Sequence, residues 1–205
     1  MSTGRLEAFS DGVIAVAITL LVLNIDVPSL AMAGKYGLAG ALGRNWPVYA
    51  AYVTSFLTIG IIWINHHVMI SRLREADRTI LFLNLLLLLS IGVLPFATSL
   101  LAKYLKESNG QHLAAAVYSG SFLVMSVFFT ALNRHILLVK HDKLTRSMPV
   151  AQRRQILVRS IIGVIPYAIA TALAVVSSYV TLAICFVLAV YYAFPIGSGG
   201  AEPAD

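Results

Sequence analysis

The chain has 205 residues, of which 59% are hydrophobic and 12% charged, with a formal net charge of +6 and a mean hydropathy of +0.83. A soluble domain carries about 25% charged residues, so this chain cannot clothe a water-soluble fold of its size, and its surplus apolar surface calls for lipid. The composition excludes a disordered chain, the lone Cys185 excludes a disulfide scaffold, and the positive charge has no soluble face on which to bind nucleic acid.

Crossing about 30 Å of hydrocarbon at 1.5 Å per residue takes roughly 20 mostly apolar residues. Six stretches qualify: 7–25, 46–71, 78–102, 112–139, 160–176 and 178–195. The sequence therefore predicts an all-α polytopic membrane protein, one six-helix domain over residues 1–196, with a Gly/Ala/Pro-rich tail over 197–205 that is expected to be disordered. The first stretch does not read as a cleaved signal peptide, because Asp11 stands where an apolar centre should begin. Pro28 ends it, since proline cannot continue a helix and the preceding Asn24 and Asp26 want water. Residues 29–43 are apolar but carry glycines at 34, 37, 40 and 43. An interfacial helix is favoured there over a re-entrant loop, which would need polar backbone held in a protein-lined cavity. Pro95 and Pro166 fall inside spans, where kinks are expected.

Lysine and arginine set the orientation. With the N-terminus inside, eleven of the fifteen, from Arg5 through the loops around Arg72 and Arg78 to the stretch between Arg134 and Arg159, fall on the cytoplasmic side. Lys35, Arg44, Lys103 and Lys106 fall on the other. Both termini are therefore expected in the cytoplasm, and the stretch from Arg134 to Arg159 reads as a positive-inside determinant able to touch anionic lipid headgroups.

Asp11 is anomalous, because an acidic side chain about one turn into a span needs protein, water or a partner. Two readings stand open: a structural latch, with Arg5 snorkelling nearby and Ser10 bonding backbone, or a proton or ion relay. The second anomaly is Trp63-Ile64-Asn65-His66-His67. Adjacent histidines diverge by about 100° around a helix, so both cannot serve one metal, and the helical metal motif wants i and i+4. One histidine is expected to bond the first helix and the other to face the headgroups, either as neutral glue or as a pH sensor. Val16, Leu20 and Leu23 form one stripe about 10 Å long with Thr19 beside it; periodicity alone assigns that stripe to lipid or a neighbouring helix. Missing are a Thr-Val-Gly-Tyr-Gly filter, a phosphate-cradling loop, a Cys/His ligand pattern and a nucleophile elbow, so neither an enzyme nor a metal or other cofactor is expected. Mid-membrane carboxylates and an internal repeat are missing too, which counts against a transporter.

From Arg5 to Leu23, with its Arg-x-x-x-Phe-Ser-Asp entrance around Phe9, Ser10 and Asp11 and its aliphatic run with Thr19, the sequence resembles the first helix of the transmembrane protein 175 family, the endolysosomal potassium channels and their prokaryotic relatives. Trp63 and the His66-His67 pair match a further family feature, and the six-span layout agrees over nearly the whole chain. Organellar members carry two six-helix repeats and work as dimers; the single copy here implies a homotetramer. The resemblance implies that the first helices line a central pore without a re-entrant filter. Val16, Leu20 and Leu23 would be stacked hydrophobic rings serving as gate and weakly selective filter, with Thr19 the polar position beside them. Val16 stands at the constriction, where Ile or Leu is more usual. An inter-helix network would comprise Arg5, Phe9, Ser10, Asp11, Trp63 and His66 or His67, and Asp26 would ring the outer mouth. The implied function is a potassium-permeable channel in the cell membrane, its partners K⁺ and other monovalent cations, further copies of itself and membrane lipid. The alternative is a proton- or cation-coupled carrier using Asp11 and a histidine of the second span; a third reading, a lipid-interacting structural protein, predicts no ion flux.

Overall fold

A computed structural model describes residues 3–145 and 147–193. Seven helices follow in chain order: α1 (Thr3–Leu20), α2 (Leu30–Arg44), α3 (Trp46–Ser71), α4 (Arg78–Tyr104), α5 (Gln111–Arg134), α6 (Val150–Leu173) and α7 (Ser178–Ala193). Among the described residues, five helical segments are long and apolar enough to cross a membrane, and the chain is a membrane protein.

Local chemistry explains where these helices begin and end. A 3₁₀ turn over Leu21–Asn24 finishes α1, and Asn24 Nδ2 donates to the Pro95 carbonyl of α4 at 3.1 Å, tying that end down. Ser29 Oγ accepts from the Met32 amide at 3.3 Å to start α2, and Asp77 Oδ1 accepts from Ile80 at 2.9 Å to start α4; both satisfy amides that a helix start leaves open. Gly110 precedes α5 at φ +92°, a left-handed conformation that glycine alone adopts without strain, and an added Cβ would meet the Tyr104 ring at 3.0 Å.

Helix α4 is the central element, packed against α1, α3 and α5. Its Leu87, Ile91, Leu94 and Leu101 are fully buried, together with Ile14, Leu21 and Ile59 and the Tyr118 and Phe122 rings of α5, which meet edge to face at 4.8 Å. Lipid supplies no hydrophobic drive between helices, so buried hydroxyls add to the packing. Ser55 meets Thr98 at 2.8 Å and Tyr118 at 3.1 Å, while Asn133 Nδ2 donates to Ser160 at 2.8 Å to join α5 and α6.

Two elements differ from the sequence expectation. Residues 29–43 do form a helix, but α2 is broken at Gly37, whose φ of 72° and ψ of 159° lie outside helical space. Helix α6 begins at Val150, ten residues before the expected 160, so Arg153, Arg154 and Arg159 ride on a helix and not in a loop. Arginine and glutamine are good helix formers, and a hydropathy window tuned to lipid discards them. Helix α7 begins at Ser178 as expected and has 16 described residues, about 24 Å at 1.5 Å per residue. Pro95 and Pro166 both lie within continuous helix. The expected end of the last span at 195, Arg146 and the tail over 197–205 lie outside the described residues.

Candidate functional site

Helix α1 has two unlike faces. Leu6, Ser10, Ile14, Ala17 and Leu21 are buried against α3 and α4. On the other side Phe9, Val16, Leu20 and Leu23 are 52%, 57%, 43% and 71% exposed. At about 100° per residue these four fall within roughly 60° of arc, a continuous apolar stripe that the rest of the subunit leaves uncovered. Thr19 lies beside it, exposed, its single hydroxyl proton shared between the Ala15 and Val16 carbonyls at 2.9 Å each. The hydroxyl oxygen keeps lone pairs for an outside partner. Asp26 is exposed just beyond Leu23.

A chain of hydrogen bonds holds the opposite face. Asn84 of α4 donates through Nδ2 to Ser10 Oγ at 3.0 Å, and Ser10 donates to the Leu6 carbonyl at 2.8 Å. Since the Asn84 amide nitrogen is the donor, its Oδ1 accepts, so His66 Nε2, 2.7 Å away, carries the proton. His66 Nδ1 is then a bare acceptor, buried and without a partner among the described residues. Trp63 Nε1 donates to Asp11 Oδ1 at 2.9 Å, and His67 Nδ1 meets Glu7 Oε1 at 2.7 Å.

The structure thus brings Ser10, Asp11, Trp63, His66 and His67 together at the junction of α1, α3 and α4. The two histidines diverge as helix geometry requires, with one difference from expectation. The buried His66 reaches α4, and the exposed His67 bonds α1. Arg5 is exposed with no hydrogen bond or ion pair among the described residues, and Phe9 faces away; both continue the outward stripe and do not join the network within one subunit. Asn84 and Glu7 are network members that the sequence reading passed over. A lone amide in the run Leu83-Asn84-Leu85 was the available signal, because a side-chain amide inside a membrane helix needs a partner. Glu7, Asp11 and His67 also bring ligand-capable atoms within 4.8 Å of one another, so a cation-holding set here would take one histidine and two carboxylates.

Comparison with known proteins supplies the family. The family model described as "Endosomal/lysosomal potassium channel TMEM175" matches residues 5–95, the part of the chain that contains every member of this network. A potassium channel of Streptomyces collinus is 47% identical over 193 residues, covering 94% of this chain and 92% of its own. A potassium channel of Chamaesiphon minutus is 40% identical over 197 residues, covering 93% of each. The crystal structure of a lysosomal potassium-selective channel TMEM175 homolog from Chamaesiphon minutus matches with a TM-score of 0.83 at 39% identity, over 93% of this chain and 96% of that one. On near-complete coverage at these identities, and with the same arrangement of helices, the chain belongs to the TMEM175 family.

Proposed function

We propose that the chain is one subunit of a potassium-permeable cation channel of the cell membrane, a homotetramer in which four copies of α1 surround the conduction path. The observation that carries this reading is the open stripe of Val16, Leu20 and Leu23 on a helix whose other face is packed and hydrogen-bonded. The names borne by the full-length relatives, potassium channels, support the choice of ion.

In such an assembly the stripe becomes three stacked aliphatic rings. A ring only a few ångström across excludes liquid water, so it blocks ions by dewetting without a charged plug. Small rotations or splaying of α1 widen it. K⁺ surrenders hydration more readily than Na⁺, so a neck that strips part of the shell favours K⁺ modestly, and the outward lone pairs of Thr19 replace part of what is lost. Asp26 at the outer mouth repels anions. The Ser10–Asn84–His66 chain and the Asp11–Trp63 bond fix the rotation of α1, which keeps the stripe turned toward the axis. Both termini lie on the cytoplasmic side, where lysine and arginine collect.

The test is the reversal potential of reconstituted protein under opposed K⁺ and Na⁺ gradients, with the oligomer mass measured in detergent. A shift toward the K⁺ potential and a four-subunit mass are expected. The carrier reading, in which Asp11 and a histidine of α3 move a proton, predicts instead saturable flux without single-channel steps, abolished by Asp11→Asn.

A further inference from the structure

A cleft of about 420 Å³ opens between α3, α5, α6 and α7, away from the α1 stripe. That volume falls within the 300–1,000 Å³ typical of small-molecule sites. Its walls are mostly apolar, from Ile61 and Ile62 of α3, Met125 and Phe129 of α5 and Ile156 of α6, with the hydroxyls of Ser126, Thr130 and Ser160 among them, and Tyr167 and Tyr192 also line it. From Thr58 to Arg72 it runs along α3 for fourteen residues, about 21 Å at 1.5 Å per residue, more than half the hydrocarbon thickness.

Two arginines line this trough: Arg72 at its end on α3, and Arg159 on α6 between Ile156 and Gly163. Arg72 follows the last turn of α3 and is only partly exposed, yet its guanidinium has no hydrogen bond or ion pair among the described residues. Burial lowers its pKa from the ordinary arginine value, but an arginine stays charged in proteins. A partly desolvated cation without an anion is costly, so an anion arriving from outside would stabilise it. Soluble phosphate would satisfy the guanidinium but leave the apolar trough filled with water. A second copy of the chain would cover the trough but would have to bring a carboxylate to Arg72. Glu75 and Asp77, which flank this end, are already held by Lys143 at 2.8 Å and Lys140 at 3.2 Å.

We propose that the cleft between α3 and α6 is a binding site for an anionic glycerophospholipid, with the phosphate on Arg72 and Arg159 and one acyl chain laid along Ile62, Phe129 and Ile156. Asn65, seven residues before Arg72, lines the cleft about 10 Å further in, at the depth of the glycerol esters. The site rests only on the chain being a membrane protein, so it stands or falls separately from ion conduction.

The experiment uses the full-length protein reconstituted into vesicles of phosphatidylcholine with and without phosphatidylglycerol, extracted gently and examined by native mass spectrometry. Phosphatidylglycerol is expected to be retained in preference to phosphatidylcholine. Arg72→Gln is expected to lower that retention about tenfold, the effect of losing a charge-assisted hydrogen bond, while Arg72→Lys keeps most of it. Gly163 lines the trough, and its added Cβ would lie 3.4 Å from the Tyr192 hydroxyl. Gly163→Leu therefore fills the trough while both arginines remain, and should also lower retention. This variant decides the matter should Arg72→Gln fail to assemble. Equal retention of the two lipids, or unchanged retention in both variants, overturns the proposal. So does full displacement by glycerol phosphate, which lacks an acyl chain, or an inter-subunit disulfide in Gly163→Cys, which would place a second copy over the cleft.

Discussion

Asn84 shows how one amide can set the orientation of a helix in lipid. It is fully buried, donates to Ser10 of α1 and accepts from His66 of α3, so a single side chain joins three helices. Replacing it with leucine preserves bulk but leaves a buried imidazole N–H unpartnered and the Ser10 oxygen without its donor, its bond to the Leu6 carbonyl alone remaining. Asn84→Leu should destabilise the protein by about 1–2 kcal/mol, the range for a broken hydrogen bond between membrane helices, read as a lower thermal midpoint in detergent. In a double-mutant cycle with His66→Ala the two losses should add to less than their sum; full additivity would mean that the bond contributes nothing. The sequence made the ends of this network legible, because Asp11, Trp63 and the paired histidines are expensive in a span and stand out. It hid the middle, because one polar residue in a long leucine run is diluted by any averaging window. The open stripe of Val16, Leu20 and Leu23 was legible as a stripe, but burial of Leu6, Ile14 and Ala17 was needed to show which side of α1 the subunit leaves bare.

Among the elements, α2 and the segment between α5 and α6 departed most from expectation, each for a local reason. Gly37 adopts φ 72°, ψ 159°, a region that is essentially glycine-only, and an added Cβ would meet nothing within 4 Å. The cost of Gly37→Ala is therefore backbone strain alone, about 1–3 kcal/mol. Gly43→Ala, also in open space but without a positive φ, should be neutral or stabilising. Thermal midpoints of the two variants should move apart, and equal shifts would contradict the break in α2. At the end of the molecule richer in Lys and Arg, α5 continues through a π-helical turn at His135–Val139, and the chain then pairs Leu144 with Leu73. Arg74 donates its amide to the Lys143 carbonyl at 2.9 Å and Thr145 its amide to Arg72 at 2.8 Å. Asp77 anchors this clasp through the Ile80 amide and Lys140, which hold its carboxyl below the ordinary aspartate value of 3.8. A depressed carboxylate contributes stability above its unfolded pKa and loses it as pH falls through the folded one. The stability gap between the parent and Asp77→Asn should thus close on acidification below pH 3.8; a gap independent of pH would show that the charge plays no part. Such a clasp joins residues far apart in sequence, and no periodicity encodes it.

At the scale of the whole molecule, hydropathy alone yields the membrane, the six apolar stretches and the asymmetry of basic residues. It does not yield the partition of α1 into packed and open faces, since both are apolar and lipid would accept either. That partition is what the proposed channel rests on, because the proposed tetramer turns toward its axis the aliphatic stripe that each subunit leaves bare, while hydrogen bonds hold the reverse of the same helix. Potassium flux from vesicles containing Leu20→Asn and Leu23→Asn tests this most directly. Wetting the rings should raise the resting K⁺ leak severalfold over the parent and weaken its preference over Na⁺, while the oligomer mass stays the same. Flux and preference indistinguishable from the parent, in variants that still assemble, would place the stripe away from the ion path.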